Sequence, residues 1–94
     1  MYSLFLCLKL MYKCYILYSQ TLNRYYVGHT ELPMEERLRR HLANHKGFTS
    51  KAKDWEVVHM ENFGSKEEAY RREREIKGKK SKKYIEWLIE SSGA

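Results

Sequence analysis

The sequence predicts an α+β domain, a small three-stranded, mostly antiparallel sheet flanked by three helices, on three observations. Two short runs rich in aromatic and β-branched residues stand four polar residues apart, a third such run follows a basic loop, and three further segments carry apolar residues at helical spacing. The resulting order of strand, strand, helix, strand, helix, helix suits a sheet with helices packed on it.

The first strand is Lys13 to Ser19 and the second Arg24 to Thr30. Gln20-Thr21-Leu22-Asn23 between them is short and polar enough for a hairpin, so the two should pair antiparallel. Pro33 precedes Met34 to Leu42, with Glu35 and Glu36 at the positive end of the helix dipole and Met34, Leu38 and Leu42 every four residues. Asn44-His45-Lys46-Gly47 ends that helix, and 47–54 reads as a polar, basic loop. Trp55 to Glu61 is the third strand. Ser65 with Glu68 three residues on forms a capping box for a charged helix from Lys66 to Gly78, and Lys82 to Glu90 makes a last helix with Tyr84, Ile85, Leu88 and Ile89 as its stripe.

These elements divide the 94 residues into one domain over 13–90, an apolar extension over 1–12 and a tail over 91–94. The extension reads as poorly ordered or spurious, with Met11 an alternative start to Met1. It has no basic opening or small-residue cleavage site and falls short of the roughly 20 residues that span a bilayer, so neither targeting nor a membrane partner is expected. Cys7 and Cys14 fit neither a disulfide framework nor a zinc knuckle and imply free thiols in a reducing, cytoplasmic setting. Eighteen Lys and Arg against twelve Asp and Glu give a net charge of +6, which suits an anionic partner without naming it.

Several residues break the structural pattern. Glu73 shares a helix face with Ala69, Ile76 and Lys80, so its carboxylate turns toward the core. There it must hold a cation or metal, sit in a cleft, or pair with a nearby Lys or Arg as ordinary structural carboxylates do. Arg37 and His41, four apart, flank the Leu38 and Leu42 stripe and suit a phosphate, although a solvated basic face with Arg39 and Arg40 would look the same. His41 and His45 have the spacing of two zinc ligands but lack companions. His29 and His59 read as satisfied strand imidazoles, His29 also facing the cleft beside Gly28. Tyr15 and Tyr26 flank the hairpin and can lie side by side on one sheet face, either as converging phenols or as ordinary packing. Gly28, inside a strand, points to a close backbone approach or a bulge.

Lys13-Cys14-Tyr15, ten intervening residues and Tyr26-Val27-Gly28 resemble the paired tripeptides of the GIY-YIG nucleases, the first keeping only its Tyr. The Arg37 and His41 pair, then Ala69, Arg72-Glu73 and Ile76-Lys77, are similar to the later family motifs, and the likeness runs from Lys13 to about Ile89. The asparagine that several branches carry late in the domain has no counterpart after Glu73. The resemblance implies a metal-dependent endonuclease of low sequence specificity acting on DNA, branched or damaged structures included, with one Mg2+ or Mn2+ held by Glu73. It also implies roles: Tyr15 as base or relay, Tyr26 and His41 supporting the phosphate or the attacking water, and Arg37 stabilising transition-state charge. Gly28, His29, Arg39, Arg40, Lys46, Lys51, Lys53 and Lys77 are the expected nucleic-acid contacts. The competing readings are a non-catalytic binding module gripping nucleic acid through Arg39, Arg40, Lys46, Lys51 and Lys53 with Lys79, Lys80, Lys82 and Lys83, and an interaction domain whose charged helix is merely solvated.

Overall fold

The computed structural model describes residues 11–92. Its elements are β1 (Tyr12–Ser19), β2 (Arg24–Thr30), α1 (Met34–Ala43), a 3-10 turn (Phe48–Lys51), β3 (Glu56–Phe63), α2 (Lys66–Gly78) and α3 (Lys82–Ser92). The sheet is antiparallel throughout, in the order β2-β1-β3. The first strand in sequence is therefore central, and its burial explains its apolar run: Cys14, Tyr15, Ile16 and Leu17 are at most 1% exposed.

Alternation along β1 divides the core into two layers. Cys14 and Ile16 point to one face, where they pack with Val27, Ile76 of α2 and Leu88 of α3. Tyr15 and Leu17 point to the other, against Ala52, Trp55 and the Met34, Leu38 and Leu42 stripe of α1. Ser65 caps α2 by accepting from the Glu68 amide at 3.2 Å, as the capping box requires. At the hairpin, Asn23 takes φ 52°, a left-handed conformation Asn tolerates. Asp54 ties that turn down by accepting from Ser19 Oγ (2.6 Å), the Thr21 amide (2.9 Å) and Thr21 Oγ1 (2.8 Å), contacts that hold its carboxyl down at about 2.

The elements depart from expectation in five places. Residues 1–10 of the expected extension lie outside the described residues, but Tyr12, placed in it, is the first residue of β1 and pairs with Phe63. That pairing also carries β3 beyond Glu61 to Phe63. Ser91 and Ser92, assigned to the tail, close α3, where Ser92 Oγ meets Leu88 O and His59 Nδ1, each at 2.9 Å; 93–94 lie outside the described residues. The loop after Gly47 is not simply polar and solvated, because it folds into the 3-10 turn, buries Thr49 and anchors the buried Trp55 through an Nε1–H to Thr49 O bond of 2.9 Å. Lys80 leaves the α2 stripe, since the helix ends at Gly78 and Lys80 is exposed at φ 49°.

Among the described residues no helix is long and apolar enough to cross a membrane.

Candidate functional site

The α1 face of the sheet carries a buried polar chain centred on Tyr15. Arg37 Nε donates to Tyr15 Oη at 3.0 Å, and Tyr15 Oη lies 2.7 Å from His41 Nε2. A guanidinium only donates, so the Tyr15 oxygen accepts from Arg37 and its own proton goes to His41 Nε2. His41 is then the Nδ1–H tautomer, and that proton goes to Thr49 Oγ1 at 3.0 Å. Asn44 Nδ2 reaches the same hydroxyl at 3.3 Å. Burial and the neighbouring Arg37 charge lower the His41 pKa to about 4, so the ring is neutral at pH 7. Burial likewise pushes the Tyr15 phenol up to about 12, against the opposing pull of Arg37. Tyr15 is thus a neutral phenol, 0% exposed.

Tyr15 and Tyr26 do share one face, diagonally rather than directly opposite: Tyr15 pairs with Gly28 and Tyr26 with Leu17, leaving the ring centroids 6.4 Å apart. Gly28 is there for close approach and not for a bulge. A Cβ on it would stand 2.6 Å from Tyr15 Oη and 2.8 Å from Cζ. The bulge in the sheet lies instead between Ile16 and Leu17, on the β3 side. Tyr26 is the more accessible phenol; its ring has His41 edge-on at 5.0 Å and Phe48 near parallel at 6.3 Å.

Glu73 rises from the other layer, on α2. Its side chain is 12% exposed and both oxygens are occupied, Oε1 by His29 Nδ1 at 2.5 Å and Oε2 by Lys77 Nζ at 2.6 Å. The sequence left three fates open for this carboxylate, and the structure pairs it with a Lys and an imidazole. The two layers meet around the free edge of β2. Lys77 Nζ, bound to Glu73, is also 5.7 Å from the Tyr26 ring centroid, and His29 and Arg37 line one cleft of about 440 Å³. A second depression of about 270 Å³, lined by Tyr26, Arg37, Arg40, His41 and Phe48 among others, adjoins it at Arg37 and Arg40. Arg37 Nη1 and Nη2 make no hydrogen bond to the described residues, so the outer fork of the guanidinium is available at the junction.

The expected basic contacts are not equivalent. Arg39 and Arg40 share Glu36, at 2.6 and 3.2 Å. Lys53 Nζ donates to the carbonyls of Leu42 and Asn44, both at 3.0 Å, and so satisfies the C-terminal end of α1 rather than projecting toward a ligand. Gly28 serves the site through the room it leaves. Lys46 and Lys51 are exposed, Lys51 lying 5.3 Å from the Phe48 ring centroid.

Thr49, Asn44 and Phe48 escaped the sequence reading, because an irregular loop has no periodicity to mark which side chains turn inward. Arg72 was expected only as part of a motif. It makes a two-pronged pair with Glu61 at 2.9 and 3.2 Å, and Glu61 also meets His59 Nε2 at 2.7 Å. Burial works against this carboxylate, yet Arg72 and His59 hold it below its usual range.

No three His, Cys, Asp or Glu among the described residues cluster as a ready metal cage. Glu73 offers one carboxylate. That donor suits a hard, hydrated ion which keeps most of its shell as water and substrate oxygens, and it does not suit zinc. A family model described as the GIY-YIG catalytic domain matches residues 11–85. No curated protein and no solved structure matches the chain.

Proposed function

The chain belongs to the GIY-YIG family, a nuclease-type superfamily, and from that premise we propose that it is a metal-dependent endonuclease hydrolysing phosphodiester bonds in DNA with low sequence specificity. The observation that supports this most is the convergence on the β2 edge of Arg37, whose outer guanidinium nitrogens make no hydrogen bond to the described residues, and Tyr26, with Lys77 linking the Tyr26 ring to Glu73. Branched or damaged DNA suits the open clefts that meet at Arg37 and Arg40. The buried free thiol of Cys14, raised to about 12 by burial and nearby carboxylates, fits the reducing cytoplasm.

In this mechanism Glu73 would hold one Mg2+ or Mn2+, exchanging Lys77 or His29 for it. Bound there, a divalent ion supplies Lewis-acid stabilisation and lowers the pKa of water in its shell. The outer nitrogens of Arg37 take a non-bridging phosphate oxygen, a bidentate geometry for which a guanidinium is suited. Tyr26, the accessible phenol, orients the attacking water. Tyr15 is placed differently from a base in contact with solvent. As a buried neutral phenol it fixes Arg37 through Nε and passes hydrogen-bond direction to His41, which is neutral at pH 7 and holds the phenol in place. Lys77, released from Glu73, faces the substrate backbone.

One observation favours the alternative of a non-catalytic binding module: both Glu73 oxygens already carry protein partners. Labelled single-stranded, duplex and branched DNA and RNA, incubated with Mg2+, Mn2+ or EDTA, separates the two readings. Metal-dependent scission of DNA is expected; salt-sensitive binding with no scission under either ion leaves only the binding module.

A further inference from the structure

Beside the candidate centre, on the outer side of the β2 edge, lies a cleft of about 350 Å³ that the hydrolytic chemistry leaves unused. Its floor is apolar, from Val27 and Ile76, and its walls carry the rings of Tyr25, Tyr26 and Phe48. Lys77, paired with Glu73, and Lys80 flank it, and no carboxylate is among the described residues that line it. The Tyr26 and Phe48 planes lie within 16° of parallel, and the same two side chains line the depression that holds Arg37 and His41.

We propose that this cleft is a nucleobase subsite, which takes the base of an unpaired nucleotide next to the phosphate held by Arg37. Three features of the site argue for that ligand. Aromatic faces accept any base by stacking, and the rings of Tyr25, Tyr26 and Phe48 outweigh the aliphatic lining of Val27, Ile76 and Ile85, a balance that favours a flat base over a peptide or lipid chain. Lys80, exposed beside the cleft, can meet a backbone phosphate of the same nucleotide, while Lys77 is held on Glu73 until a metal takes its place. Continuity through Tyr26 and Phe48 puts the base and the phosphate on one strand segment. A base inside continuous duplex is stacked between its neighbours and reaches such a cleft only by leaving the helix, which is least costly where the strand is already unpaired. The substrate class that follows is DNA with a single-stranded stretch, such as a flap, gap or bubble, in preference to uninterrupted duplex. Lys80 sits at φ 49° in the turn joining α2 to α3, at the border of the cleft.

This inference rests on the nuclease reading for its choice of ligand, but its test does not require cleavage. In EDTA, wild-type protein is titrated against equal-length duplex and flap DNA, the flap carrying 2-aminopurine in its unpaired segment. Stacking should quench the fluorophore, and the flap should bind about ten-fold tighter than the duplex. Phe48→Leu keeps an apolar side chain against Trp55 while removing a ring face, and should reduce that discrimination several-fold along with the quenching. Lys80→Asn, which tolerates the left-handed backbone, should weaken flap binding and flatten its salt dependence. A thermal melt of each variant establishes that it is folded. Equal affinity for flap and duplex, or discrimination untouched by Phe48→Leu, overturns the subsite. Stacking without scission when Mg2+ is restored would instead overturn the nuclease reading and leave the subsite standing.

Discussion

Gly28→Ala puts the geometry of the β1–β2 pair to a direct test. An added methyl would stand 2.6 Å from Tyr15 Oη, 2.8 Å from Tyr15 Cζ and 3.0 Å from Tyr26 Cε2, all inside contact distance. Relief by a swing of the Tyr15 ring is obstructed, because the residue is 0% exposed and its hydroxyl is held by Arg37 and His41. Either that hydrogen-bonded chain breaks or β1 and β2 move apart, and overpacking of this kind costs about 1–3 kcal/mol. Replacing Gly by Ala in a strand returns under ~1 kcal/mol through the unfolded chain, leaving a net loss of about 1 kcal/mol. For a domain of this size that is roughly 4–8 °C in Tm. Urea melts followed by tryptophan fluorescence measure it. The same substitution made in a Tyr15→Phe background should cost less by about 0.5–1 kcal/mol, since the closest contact is gone while Cζ remains. A Gly28→Ala protein as stable as wild type would refute the close packing of Tyr15 on Gly28, and with it the reason given for this glycine.

Other consequences can be checked on the same apparatus. Tyr15→Phe leaves the buried His41 Nε2 without its donor and should lower stability by about 1–3 kcal/mol in urea melts. His41 has a folded pKa of about 4 against 6.5 ordinarily, so between these values the unfolded chain binds more protons; stability should rise with pH across that window, level off above it, and lose much of the slope in His41→Gln. Arg72→Met leaves Glu61 half-buried with only His59 as partner, and should lower stability by about 1–3 kcal/mol, while Arg72→Lys, which cannot reproduce the two-pronged pair, recovers only part.

The α+β order could be read from the sequence because the elements carry local signals: the aromatic and β-branched content of 24–30, the Met34, Leu38, Leu42 stripe, the Ser65 capping box. Glu73 could be picked out as a carboxylate on a core-facing stripe, and it is buried beside Ala69 and Ile76 as that spacing requires. Lys77, four residues on, is the nearby Lys that one reading of the sequence offered, whereas His29 could not be read, since it is 44 residues away and meets Glu73 only through the packing of α2 on β2. The 3-10 turn escaped for a similar reason. Nothing in Phe48 to Lys51 repeats, and Thr49 is buried by its bonds to His41 and Asn44 and by Trp55 against its carbonyl, all set by tertiary contacts. Lys53 reads as a surface cation in the sequence, and only the end of α1 shows what its ammonium satisfies. Charge counts in a sequence give the field around a protein, but not which cations are already engaged.

The central claim, that Glu73 and Arg37 belong to one hydrolytic centre at the β2 edge, is tested most directly by single-turnover cleavage of a labelled flap DNA in Mg2+, comparing wild type with Glu73→Gln and Arg37→Ala. The account predicts scission by wild type that EDTA abolishes, and a loss of about 100-fold or more in each variant at unchanged fold. Wild-type scission that persists in Glu73→Gln, or that survives EDTA, would contradict it.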